Sequence, residues 1–75
     1  MRSLRFMGPV ERPDSLRVAR ALETSATVTE FLSGLGYAAR HQHYLQVSSR
    51  GRRLAPHDAL PDDGEIVIAL PMGGG

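Results

Sequence analysis

The chain has no cysteine and no lysine among its 75 residues. The first absence excludes disulfide staples, cysteine-ligated zinc and cysteine nucleophiles together, so stability has to come from packing. The second leaves all nine basic residues as arginine. A protein modifier built on this sequence would have no side-chain amine on which to extend a chain, only its N-terminus; the plain reading of the bias is genome composition. Long apolar runs are missing too. None approaches the roughly 20 residues that a bilayer-spanning helix needs, so no membrane partner is expected. The opening Met1-Arg2-Ser3-Leu4-Arg5-Phe6 lacks the apolar core of a secretory signal, which makes a cytoplasmic location the expectation. The formal net charge is only +1, which gives no electrostatic reason to expect nucleic acid as a partner.

What is present suits one small globular domain. Hydrophobic residues make up 41% of the chain, and a chain of this length buries only about 60% of its unfolded surface. Leu4 and Phe6 alternate with Ser3, Arg5 and Met7, the period of a half-buried strand that ends at Gly8-Pro9. Leu16 and Val18 resume the alternation after a turn-rich stretch, which predicts a second strand over residues 16–22 and an N-terminal hairpin. Arg20 falls on the apolar face of that strand, so a bulge is expected near Ala19 to Ala21. Thr27-Val28-Thr29-Glu30 has the form of a capping box with Thr27 as N-cap. Val28, Phe31, Leu32 and Leu35 follow at the spacing of one buried helical face, and Gly34 and Gly36 stop the helix.

The segment from His41 to Val47 reads as a third strand. Ser48-Ser49-Arg50-Gly51 is a turn, Arg52-Arg53-Leu54 a short return strand, and Leu60 a core plug in a loop. Asp62-Asp63-Gly64 is a tight turn before the most apolar strand, Glu65 to Leu70. The expected fold is α+β: a mixed four- to five-stranded sheet with one main helix packed on one face, the first and last strands parallel and side by side in the middle. That arrangement is the ubiquitin-like β-grasp. The helix side of the sheet should carry Leu4, Phe6, Leu16, Val18, Ile66 and Ile68, while Val67 and Ala69 form a small apolar patch on the open face.

Residues 1–70 make the domain on this reading, and residues 71–75 a thin extended tail, Pro71-Met72-Gly73-Gly74-Gly75. Three glycines lack every Cβ and contribute nothing to a core. The one chemical group of such a tail is the α-carboxylate of Gly75, which makes it the candidate reactive centre.

Leu60-Pro61-Asp62-Asp63-Gly64-Glu65-Ile66-Val67-Ile68, ending in Gly73-Gly74-Gly75, resembles the ubiquitin-like sulfur carriers. These are the thiamin-pathway carriers (ThiS) and the small subunit of molybdopterin synthase (MoaD). The likeness extends over the whole length in size and element order, with Arg50-Gly51 where many relatives have Asn-Gly. It implies that the Gly75 carboxylate is adenylated by an ATP-using, E1-like adenylyltransferase and converted to a thiocarboxylate. A sulfur donor protein supplies the sulfur, and an acceptor synthase, thiazole synthase or the large subunit of molybdopterin synthase, receives it. Leu70-Pro71-Met72 and the third glycine fit the thiamin type better. The chain would then be a protein cosubstrate and not an enzyme, with no cofactor or metal bound to itself. Gly74 and Gly75 would thread the activating site, and Val67, Ala69, Leu70, Met72 and Gly73 would contact partners. The chemistry agrees: a carboxylate with pKa about 3.5 is a poor electrophile until it gains a leaving group.

Other constellations have plainer readings. His41-Gln42-His43 puts two imidazoles on one side of an extended strand, but third and fourth zinc ligands are missing and a solvated strand edge is the simpler account. His57-Asp58 with Ser48 or Ser49 lacks a nucleophile elbow. Arg50, Arg52 and Arg53 make a solvated charged turn or meet an acidic partner surface. Two further functions share the features of the tail. A covalent modifier would transfer Gly75 to a target lysine, and a noncatalytic β-grasp module would carry the glycines incidentally.

Overall fold

The computed structural model describes residues 1–70, so the readings that concern Pro71, Met72, Gly73, Gly74 and Gly75 lie outside the described residues. The elements in order are β1 (Arg2–Met7), α1 (Ser15–Thr24), α2 (Val28–Gly34), α3 (Ala39–Gln42), β2 (Gln46–Ser49), β3 (Arg52–Leu54) and β4 (Gly64–Ala69). They build an α+β fold on a mixed four-stranded sheet of order β1-β4-β2-β3. β4 pairs parallel with β1 and antiparallel with β2, and β2 pairs antiparallel with β3. The first and last strands are therefore parallel neighbours as expected, but β1 lies at the sheet edge and not in its middle.

The main disagreement with the sequence reading is residues 16–22. They form the helix α1, not a strand, so there is no N-terminal hairpin and no bulge at Ala19 to Ala21. Asp14 is the N-cap, its carboxylate accepting the Arg17 N–H at 2.8 Å. The stripe that docks α1 is Val18, Ala21, Leu22 and Ser25, at i, i+3, i+4 and i+7. Leu16 lies off this stripe and is 83% exposed, where a strand would have buried it with Val18. Three helices replace the single one expected.

α2 follows its sequence signals. The Thr27 hydroxyl accepts the Glu30 N–H at 3.2 Å, and the Glu30 carboxylate accepts from Ala26 N–H at 2.8 Å, one residue before the position a capping box normally reaches. At the other end Gly36 takes φ +96. Its N–H bonds the Ser33 carbonyl while Tyr37 N–H bonds that of Leu32, which is the Schellman pattern. The expected third strand is shortened: residues 39–42 are the one-turn helix α3, and only Gln46–Ser49 are extended. Arg50 and Gly51, both at positive φ, close the β2–β3 hairpin in a two-residue turn.

The core sits between the helices and the sheet. Phe31, Ile66 and Ile68 are fully buried, joined by Val28, Leu32, Leu35, Val47 and the expected plug Leu60. Arg2 shares the helix side, where its guanidinium donates to the carbonyls of Pro61, Leu22 and Ser25 at 2.8–2.9 Å. Two of those carbonyls end α1, so this charge caps the helix and finds partners in the same contact. The radius of gyration, 11.4 Å, is that of a close-packed chain of this length, about 11 Å. Among the described residues no helix is long and apolar enough to cross a membrane.

Candidate functional site

The site suggested by the sequence is the end of β4 and what surrounds it. β4 alternates Ile66 and Ile68 into the core with Glu65, Val67 and Ala69 toward the open face. Val67 lies between Arg5 of β1 and Ser48 of β2, and Ala69 between Met7 and Gln46. Both are half-buried. With Met7, 50% exposed, they make a small apolar patch bordered by Arg5, which holds Glu65 at 3.4 Å.

Leu70 is the last described residue, and its N–H still donates to the Met7 carbonyl at 3.4 Å. The chain is thus held to the sheet up to the residue before Pro71. Gly8 sits against this point at φ +82, and a Cβ there would come within 3.2 Å of the Leu70 carbonyl oxygen. A left-handed backbone and a close approach both call for glycine at this position.

Beside Leu70 opens a groove of about 430 Å³ lined by Pro9, Val10, Tyr37, His41, Tyr44 and Leu45. Tyr44 is 68% exposed. Tyr37 donates its hydroxyl hydrogen to the Glu11 carbonyl. Burial, and after it the negative charge of Glu11, push the Tyr37 phenol above its ordinary value. The sequence reading missed this groove. Its signal in the sequence is two tyrosines seven residues apart, Tyr37 and Tyr44, together with the Gly8-Pro9-Val10 turn.

A larger groove of about 660 Å³ runs between α2, α3 and the β2–β3 hairpin, floored by Val28, Leu32, Val47 and Leu54. Three polar side chains at its rim are engaged within the fold: Gln42 donates to Ser33 Oγ and the Tyr37 carbonyl, Thr29 donates to the Pro56 carbonyl, and Asp58 accepts from Ala55 N–H.

The remaining constellations separate. His41 belongs to α3 and His43 is its C-cap, so they are not two imidazoles on one strand face. Among the described residues no group of three or more His, Asp or Glu is placed to hold a metal ion. Ser49 is buried and donates to the Glu65 carbonyl at 2.8 Å, while Asp58 closes the turn after β3. Arg50, Arg52 and Arg53 are exposed around the hairpin tip, with Arg50 lying over Gly64. The N-terminal ammonium binds Asp63, and that hydrogen bond and charge hold the Asp63 carboxyl below the usual range.

No family model, curated protein or solved structure matches the chain.

Proposed function

We propose that the chain is a sulfur carrier of ubiquitin-like β-grasp type whose Gly75 carboxylate is adenylated and converted to a thiocarboxylate. The observation that carries this reading is the placement of β4. It is hydrogen-bonded on both sides, by β1 and β2, up to Ala69, and Leu70 is bonded once more to Met7. The strand that leads into the glycine-bearing segment is therefore held to the sheet up to Leu70. The parallel β1–β4 pair, joined through helices, is also what a β-grasp requires. α1 standing where a second strand belongs, and the edge position of β1, are departures from that pattern.

Gly75 supplies the reacting carboxylate and Gly74 the clearance for a narrow active site. Adenylation by an E1-like adenylyltransferase consumes ATP and gives the carbonyl its leaving group, and a sulfur donor protein then supplies the sulfur. The acceptor synthase, of the thiazole type in preference to the molybdopterin type, takes it. Val67, Ala69 and Leu70, in β4 and directly after it, are docking residues together with Met72 and Gly73.

Intact mass after incubation with an activating enzyme, ATP and a sulfur source tests the reading. Replacement of one oxygen by sulfur at Gly75 supports it. Adducts on lysines of other proteins show a modifier instead, and an unchanged mass leaves an interaction module. Gly74→Val is expected to abolish adenylation while the circular-dichroism spectrum and melting temperature stay as in the parent chain. A variant that is adenylated normally removes the steric role given to Gly74.

A further inference from the structure

β1 is a six-residue edge strand with one side unused. Gly64 N–H donates to the Met1 carbonyl, and Leu70 N–H to that of Met7. With the register Arg2↔Gly64 through Met7↔Ala69, the odd-numbered residues turn their peptide groups toward β4. Arg2, Leu4 and Phe6 turn theirs the other way, since the two peptide groups of a strand residue share one side and the side alternates. Among the described residues no backbone group bonds them on that side. Edges of this kind are normally blunted by proline, a bulge or charge. Here Pro9 comes after the strand ends and β1 is in unbroken register with β4, while its nearby cations are engaged: Arg2 with three carbonyls, Arg5 with Glu65 and Arg12 with the Phe6 ring.

We propose that the chain dimerises by antiparallel pairing of β1 with β1 of a second copy, about a two-fold axis through the Leu4–Leu4 pair. Register selects this occupant, and the ion pairs of the open face accommodate it. The outward groups belong to even-numbered residues, so even must pair with even. An axis at Leu4 sets Arg2 opposite Phe6 of the second copy and uses all three outward residues of each strand. An axis at Phe6 would set Leu4 opposite Gly8, which lies beyond β1 at φ +82, and would leave Phe6 as the one outward residue paired within both strands.

On the open face the Leu4 axis sets Arg5 opposite Ser3 of the second copy and leaves the two Arg5 residues on a diagonal, about 7–8 Å apart, each held by its own Glu65. Ser3 is in register with Glu65 of its own β4. Each row across the seam therefore reads Glu65, Ser3, then Arg5 of the other copy, with one serine between carboxylate and guanidinium. Two strand spacings separate their backbones, about 10 Å, within reach of these two long side chains. Each Arg5 already holds its own Glu65. Dimerisation thus joins two isolated pairs into one cluster of two arginines flanked by two glutamates, and two four-stranded sheets into one.

The full chain should sediment at 8.2 kDa when dilute and at twice that mass when concentrated. Amide hydrogen exchange at Leu4 should slow with rising concentration. Arg5→Glu should weaken association several-fold without changing the circular-dichroism spectrum, and Arg5→Glu with Glu65→Arg should restore it. A constant 8.2 kDa species overturns the proposal. So does a dimer whose Leu4 amide exchanges at a concentration-independent rate, or an Arg5→Glu variant that associates like the parent chain.

Discussion

Tyr37 shows how one side chain ties local packing to pH. Its hydroxyl bonds the Glu11 carbonyl, and burial followed by the charge of Glu11 favours the neutral phenol. A folded value raised above the unfolded one, about 10, means a contribution to stability that is fully present below pH 10 and is lost as pH rises through the folded value. In Tyr44→Phe, Tyr37 is the sole tyrosine left. Its phenolate absorbance is expected to appear with a midpoint above pH 10 in the native protein and to return to about 10 in denaturant. Equal midpoints would remove the burial argument. Gly8 carries a second residue-scale prediction. Gly8→Ala forces an L side chain into the left-handed region, a cost of about 1–2 kcal/mol, and presses a methyl against the Leu70 carbonyl. Urea unfolding should show at least that loss, and amide exchange should show a weakened Leu70–Met7 bond.

At the scale of elements, α2 was legible and α1 was not. α2 announces itself through Thr27 and Glu30, a four-residue apolar stripe and Gly36, each a local signal. α1 carries the same kind of stripe in Val18, Ala21, Leu22 and Ser25, but two of its four members are small or polar. Leu16 two residues before Val18 imitates a strand. The choice between them lay in what the helix meets: Ala21 packs on α2, where a Cβ at Gly34 would lie 3.4 Å from the Ala21 Cβ. Only small residues allow that approach. Ala21→Leu is therefore expected to cost about 1–3 kcal/mol, and Leu16→Gln to stay within about 0.5 kcal/mol. Chemical denaturation would expose the reverse order if residues 16–22 were a strand. The same local ambiguity hid α3, where one turn of helix precedes a strand of four residues.

For the whole molecule, the division drawn at residue 70 has its own test. Truncation after Leu70 should leave cooperative unfolding and its midpoint unchanged, because among the described residues the buried ones lie between Val10 and Ile68. A lower midpoint would mean that residues 71–75 belong to the domain. The sequence by itself determined the chemistry on offer, with no thiol or side-chain amine among the 75 residues and three consecutive glycines at positions 73–75. It also determined the elements whose signals are local: the caps of α2, the Arg50-Gly51 turn, and the apolar run of β4. Tertiary structure alone decided that Leu16 faces solvent, that α1 takes the place of a second strand, and that β1 lies at the sheet edge. The physical reason is reach. Caps and turns are set by bonds within a few residues, whereas strand neighbours and helix faces are chosen by contacts between segments far apart in the chain, such as Arg2 with Leu22, Ser25 and Pro61.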